Sequence, residues 1–340
     1  MSLSILHPGL LTTVQDLGRP GYQKDGVAVG GAMDAIALRV ANLLVGNPEG
    51  AAGLEITLRG PRLSFGTGTL LALTGADLSP TLNGQPLKLH RPTWAPAGTE
   101  LAFGAPRAGC RAYLAVAGGV AVAPVLGSRA TYLRAGLGGW HGRALRAGDE
   151  LPIGEPSPTG QQLLLELTIN QTTGNQTTGN QTGWTPRPQL CPVPRPNPVV
   201  RAVRGPEYGQ FSAAGQQAFW EQPFVITAAA DRMGYRLQGP TLMRLTDAEL
   251  LSSAVTHGTV QVPPGGQPIV LLADRQTTGG YPRLAQVITA DFGALAQAAP
   301  GQALHFQEVS LAEAQALYLA QEQALRALQQ GIKFKTSMTR

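Results

Sequence analysis

The chain has 340 residues, 43% of them hydrophobic and only 14% charged, with 43 glycines, 27 prolines and a net charge of +5. This composition excludes a disordered chain and gives length for about two domains with substantial cores. Lysine occurs only at Lys24, Lys88, Lys333 and Lys335 and the arginines stand singly, so the positive balance lacks the stripe that nucleic-acid binding needs.

Low charge, abundant turn formers and many short apolar runs predict a mainly β, loop-rich chain. The start, MSLSILHPGLLTTVQD, has neither a basic region nor a long apolar core, and no run approaches ~18 apolar residues. A cytoplasmic protein with no signal peptide and no membrane span is expected. Cys110 and Cys191 lie too far apart in sequence to suggest a structural zinc site, and no metal-ligand spacing occurs among the five histidines.

The first feature in chain order is Thr12-Thr13-Val14-Gln15-Asp16-Leu17-Gly18-Arg19-Pro20-Gly21-Tyr22. It packs hydroxyls, an amide, an Asp–Arg pair and turn-forming glycines into a short run, which suits a site for a polar, anionic small molecule. Asp34 to Val45 then reads as a helix: Asp34 caps it, Ile36, Val40, Leu43 and Leu44 form one face, and Gly46 stops it. Glu55 follows in an apolar strand beginning at Leu54, where a carboxylate must be paired or functional.

Leu163 to Ile169 reads as a short strand. After it, Asn-Gln-Thr-Thr-Gly repeats from Asn170 and Asn175, shortens from Asn180, and gives way to a Pro-rich run ending at Pro198. Such a stretch cannot bury apolar area, so residues 156–198 are expected to be a linker. Patterns recur on its two sides. Leu58-Arg-Gly-Pro-Arg-Leu63 echoes Leu237-Gln-Gly-Pro-Thr-Leu242, and Gly84-Gln-Pro-Leu87 echoes Gly266-Gln-Pro-Ile269. Duplication of a β-barrel-like half is the expectation, with domains at 1–155 and 199–309.

Ser212 to Gln222 is a second predicted helix. In Asp231-Arg232-Met233-Gly234-Tyr235-Arg236 an extended run would point Arg232 and Arg236 to one face, as a clamp for carboxylate or phosphate. Asp274-Arg275-Gln276-Thr277-Thr278-Gly279-Gly280-Tyr281-Pro282 repeats the chemistry of the first segment and is expected to form one wall of a cleft, with Asp16 and Arg19 facing it. Ser310 and Glu313 make a capping box for a helix to about Gln330, docked on its own barrel through Leu311, Ala314, Tyr318, Leu325 and Leu328, before a basic tail that ends the chain at 340. There is no P-loop, GxSxG elbow, HExxH, EF-hand loop or biotin-attachment segment.

TTVQDLGRPGY, VGGAMD at 29–34, NLLVGN at 42–47, YLAVAGG at 113–119, LGSRAT at 126–131, DRMGYRLQGP at 231–240 and VQVPPGGQPIVLLADRQTTGGYP at 260–282 follow in order. With these motifs the chain resembles the 5-oxoprolinase C-subunit family, also called KipA-like or allophanate hydrolase subunit 2-like. It is similar too to part of the carboxyltransferase region of urea amidolyases. The resemblance implies two tandem cyclophilin-like β-barrel domains with a few short helices and a C-terminal helix. It also implies two partners, a KipI-like B subunit together with an A subunit, in an ATP-dependent enzyme that opens 5-oxoproline to glutamate. Two other readings stay open: a regulatory KipA-like protein antagonising a kinase inhibitor, and a carboxyltransferase component of a biotin-dependent urea-type carboxylase.

Phosphorylating an amide oxygen needs cations and oriented donors. Arg19, Arg232, Arg236, Gln276, Thr277, Thr278 and Tyr281 are the candidates for substrate or phosphate. Asp16 and Asp274 are the candidate catalytic groups, holding Mg²⁺ or the lactam N–H. Gln15, Asp34, Glu55 and Gln261 complete the set, and no covalent biotin is expected.

Overall fold

The computed structural model describes residues 2–172, 180–246 and 250–337. The chain divides into two compact units, and the division is interleaved. Residues 1–18, 34–193 and 321–340 form the first, and residues 19–33 and 194–320 the second. The sequence expectation of a break at 155–199 therefore differs at three places: 19–33 groups with the second unit, while 156–193 and the end of the chain group with the first. Among the described residues the α-helices are α1 (Ala35–Leu44), α2 (Pro158–Thr172), α3 (Ala213–Glu221), α4 (Phe292–Gln297) and α5 (Leu311–Ser337). None is long and apolar enough to cross a membrane.

The protein is mainly β. In the first unit a six-stranded sheet runs in the order Glu150–Pro152, Ser2–His7, Arg62–Phe65, Glu100–Phe103, Pro80–Leu82 and Gln85–Pro86. A five-stranded sheet runs Leu11–Gln15, Gly53–Thr57, Ala108–Val116, Thr69–Asp77 and Thr93–Ala95. Leu3, Ile5, Leu63, Phe65 and Leu101 of the one and Val14, Leu54, Ile56, Leu71, Leu73 and Leu114 of the other share a core. The alternate residues of the second sheet, Leu70, Ala72 and Ala115, turn to its opposite face, where Val40, Ala41, Leu43 and Leu44 of α1 cover them. Covering on both faces explains why Leu70-Leu71-Ala72-Leu73 is apolar without interruption.

In the second unit seven strands close into a barrel: Val199–Arg204, Arg283–Val287, Thr259–Gln261, Ile269–Leu271, Gly234–Gln238, Phe224–Ile226 and Ala303–Glu308. Val200, Leu237, Val260, Val270, Leu284 and Leu304 fill it together with Met33, from the segment that precedes α1. Phe219 of α3 stacks on Phe306 at 4.5 Å.

The capped helices form where expected. Asp34 accepts from the Ala37 N–H at 3.0 Å, Ser212 from the Gly215 N–H at 3.1 Å, and Ser310 and Glu313 bond reciprocally. Residues 163–169 are helical rather than a strand. Ser157 caps the Gly160 N–H, Pro158 takes the first helical position, and Leu163 and Leu167, four apart, are both buried. The linker reading also fails at the end of the repeat. The Trp94 N–H donates to the Asn180 carbonyl at 2.8 Å, and the Gln181 amide donates to the Lys88 carbonyl and the Thr93 hydroxyl. The rest of the repeat, 173–179, lies outside the described residues.

Helix α5 runs past Gln330 to Ser337, and its docking differs from the expectation. Leu311, Tyr318 and Leu319 are exposed, whereas Leu325 and Ile332 are buried with α1 and α2 in the first unit. Arg39 of α1 fixes this half, donating to Glu322 from Nη1 and Nη2 at 2.5 and 2.8 Å and to Glu49 from Nε at 2.6 Å. Arg39→Ala leaves two carboxylates facing each other and should cost about 1–2 kcal/mol. Hydrogen exchange should then quicken over 321–337 and hardly change over 213–221; equal protection in the variant would show that the ion pairs do not hold the helix.

Candidate functional site

The Thr12–Asp16 segment is bound into the first unit by its own side chains. The Gln15 amide donates to the Thr13 hydroxyl and the Thr131 carbonyl, each at 3.1 Å, and its Oε1 is buried without a donor among the described residues. Asp16 accepts from the Gly18 N–H at 2.8 Å, the Ser128 hydroxyl at 2.7 Å and the Arg129 N–H at 2.5 Å. Both carboxylate oxygens are thus occupied, and Asp16 latches the Leu126–Thr131 loop. Ser128 could have been sought from sequence because its motif recurs in the resemblance; its bond to Asp16, 112 residues away, could not.

Glu55 and Asp34 meet through Tyr113. Glu55 pairs with Tyr113 across neighbouring strands and with Thr13 on the other side. The Tyr113 hydroxyl donates to Glu55 at 2.9 Å and accepts the Asp34 N–H at 2.8 Å. Burial pushes this hydroxyl well above the usual range, so it stays protonated and able to donate. The carboxylate in an apolar strand therefore orients the start of α1, with Asp34 as the cap.

In the second unit, four separated motifs converge. Arg232 donates to Asp274 from Nε at 2.9 Å and from Nη2 at 3.1 Å, and Nη2 also reaches the Gly31 carbonyl at 2.5 Å. The Gly30 N–H donates to the Ala273 carbonyl. A Cβ on Gly30 would stand 3.4 Å from Arg19 Nη1 and 3.6 Å from Asp274 Oδ1, at a φ of +65°. The positive φ favours glycine here, while a Cβ would meet its neighbours only at ordinary contact distance. Arg19 and Asp274 thus both border Gly30, but as buried groups rather than as facing walls of a cleft. Asp16, expected beside Arg19, is held instead by Ser128 and Arg129 in the first unit. Arg19, Arg232 and Asp274 are all buried, so this cluster is a frame for the loops around it.

Arg232 and Arg236 do not share a face. The Asp231 carboxylate accepts the Met233 and Gly234 N–H groups and turns the chain, and the strand begins only at Gly234. Arg236 consequently lies exposed on the outside of the barrel while Arg232 turns inward.

The Gln276–Tyr281 segment has the opposite character. Its backbone is tied: the Thr277 carbonyl accepts the Val255 N–H at 3.1 Å, Thr278–Gly279 pairs with Ser253–Ala254, and the Gln261 amide donates to the Tyr281 carbonyl at 3.1 Å. A Cβ on Gly279 would come within 2.8 Å of the Gln261 amide nitrogen, so a larger residue there would push on the amide that bonds the Tyr281 carbonyl. The side chains of Gln276, Thr277, Thr278 and Tyr281 make no hydrogen bond among the described residues, and Gln276, Thr278 and Tyr281 are exposed. Fixed backbone with uncommitted amide and hydroxyl groups is an arrangement preorganised to receive a polar ligand.

His257, in the loop after Val255, was passed over in sequence as one of five isolated histidines. Its ring stacks on Phe292 at 4.1 Å. Burial first, then the charges of Arg275 and Arg232, lower its pKa to about 3; burial lowers that of His90 to about 4, against the opposing charge of Asp77. Both are depressed below the unfolded value of about 6.5, so the unfolded chain takes up these protons first. Stability should be flat above pH 6.5 and fall progressively as pH drops from there toward 3. His257→Phe, which keeps the stack, should flatten part of that slope in Tm measured against pH; an unchanged slope would remove His257 as a cause.

A cleft between Trp184–Leu190 and α5 is lined by Pro186, Leu190, Leu328 and Ile332 and holds none of these candidates. No cluster of three metal-ligating side chains occurs among the described residues.

The carboxyltransferase domain family, subdomains A and B, matches residues 25–308. Over 312 residues the chain is 44% identical to the C subunit of 5-oxoprolinase from Escherichia coli, covering 92% of this chain and 93% of that one. The chain belongs to this carboxyltransferase-domain family. The 5-oxoprolinase C subunit of Haemophilus influenzae is 38% identical over the same coverage. Among solved structures, Kluyveromyces lactis urea amidolyase superposes with a TM-score of 0.85 at 28% identity, over 96% of this chain and 20% of that much longer one. The family's members thus include both a segment of a multidomain enzyme and a dedicated subunit.

Proposed function

We propose that this chain is a subunit of an ATP-dependent 5-oxoprolinase that opens 5-oxoproline to L-glutamate, working with a KipI-like B subunit together with an A subunit. The observation that carries the reading is the Gln276–Tyr281 segment, whose backbone is fixed and whose polar side chains the fold does not use. The two relatives from 5-oxoprolinases, matched over almost their whole length, supply the reaction.

ATP, when bound, would supply a phosphoryl group to the lactam oxygen and so activate the carbonyl carbon for attack by water; the ring C–N bond breaks with its nitrogen leaving as the glutamate amine, and phosphate is released with the second carboxylate. The residues of this chain bind and orient: the Gln276 amide and the Thr277 and Thr278 hydroxyls suit the lactam oxygen and N–H, and Tyr281 borders them. These are neutral donors and acceptors for charge that develops on oxygen during the reaction. Asp16 and Asp274 do not fit Mg²⁺, since both oxygens of each are already engaged by donors. A metal that accompanies ATP would be held by other residues of the complex.

The urea amidolyase likeness supports a second reading, carboxyl transfer in a urea-type carboxylase. One assay separates them. The purified chain mixed with its two partners should release glutamate from 5-oxoproline only with ATP, and each of the three by itself should be inactive. Turnover by the isolated chain, or biotin-dependent urea carboxylation in place of glutamate release, would refute the proposal.

A further inference from the structure

Arg275 stands immediately before the uncommitted segment, and no carboxylate among the described residues pairs with its charge. Its Nε reaches the Val255 carbonyl at 3.5 Å and its Nη1 the Leu272 carbonyl at 3.3 Å, both long for bonds from a cation, and Nη2 makes none among the described residues. Arg39, Arg143, Arg201 and Arg283 are also half-buried, yet each holds a carboxylate at 2.5 to 2.7 Å. Removing a guanidinium from water without such a partner is costly. The cost is visible as a pKa lowered by burial. His257 is close enough to feel this charge and, being neutral, does nothing to balance it. The backbone beneath is rigid: the Asp274 N–H donates to the Arg232 carbonyl at 2.9 Å and the Arg275 N–H to the Leu272 carbonyl at 3.3 Å.

We propose that Arg275 is an oxyanion-binding residue of this site, pairing through its open guanidinium edge with a carboxylate or phosphate of the bound substrate. The proposal rests on reading Gln276–Tyr281 as the substrate segment and extends it by one residue and one charge. If the oxyanion is the substrate carboxylate, Arg275 gives the site a means of telling 5-oxoproline from an uncharged lactam.

Titrations of the full-length chain, by itself and assembled with its partners, would use 5-oxoproline, 2-pyrrolidinone (the same lactam without the carboxylate), ATP and inorganic phosphate. Arg275→Gln should weaken 5-oxoproline binding by about 10- to 100-fold and leave 2-pyrrolidinone unchanged. Arg275→Lys, which keeps the charge but not the fork, should fall between and guards against a folding defect in the glutamine variant. Loss of ATP and phosphate affinity with 5-oxoproline intact would equally support the proposal and assign the oxyanion to phosphate. If the variants bind all four ligands as the wild type does, or lose 2-pyrrolidinone to the same extent, Arg275 is not an anion seat and the proposal falls while the segment reading stands. A wild-type protein that binds none of them overturns both.

Discussion

Truncating Arg232 to alanine is expected to lower Tm by on the order of 10 °C, because it removes the two charge-assisted hydrogen bonds that Arg232 gives the buried Asp274 carboxylate. The sequence suggested the reverse balance, an anion clamp whose loss costs activity more than stability. The structure places both partners of the pair in the interior, at 7% and 5% side-chain exposure, with both carboxylate oxygens and the Gly31 carbonyl engaged. Breaking one side of such a pair costs about 3–5 kcal/mol, mostly through the charge left behind. Removing both charges should therefore be gentler. Arg232→Met combined with Asp274→Leu should recover much of the loss, a non-additivity that calorimetry of the two single variants and the double variant would measure. An Arg232→Ala protein melting at the wild-type temperature would show that the pair does not frame the loops.

Replacing the uncommitted side chains should do the opposite. Gln276→Ala and Thr277→Val remove donors from a segment whose backbone bonds they leave alone. Each is expected to cost about 10²–10³ in the rate of the assembled enzyme, as loss of one oriented donor does, and Tm should stay within about 1 °C. Steady-state rates beside melting curves give the answer. Full turnover by the double variant would move the chemistry elsewhere, and a large fall in Tm would show the side chains to be structural after all.

What could be read from sequence divides by range. Helices α1, α3 and α5 begin where they do because Asp34, Ser212 and Ser310 cap them within three residues, and such signals are local. Leu163 to Ile169 misled because Leu-Leu-Leu-Glu-Leu-Thr-Ile satisfies both an alternating and a helical period. Only the Ser157 cap and the cover given by α1 decide between them. The donor-rich 276–281 segment was legible as a concentration of polar groups beside glycines. That Asp16 is a latch and Arg232 half of an ion pair was not, since their partners lie 112 and 42 residues away. Arg275 was legible as half of an Asp–Arg pair, but its lack of a carboxylate partner among the described residues was not, because an arginine without a counter-ion looks the same in sequence as one that has it.

The interleaving of the two units limits how this protein can be cut. A gene fragment beginning at Pro194 would encode all seven barrel strands and still lack Met33 from the core and the Gly31 carbonyl that receives Arg232. Such a fragment should remain soluble and ordered only when the Arg19–Met33 stretch is supplied, in cis or as an added peptide. If the two halves arose by duplication, they have since exchanged a piece, and neither is any longer an inheritable module.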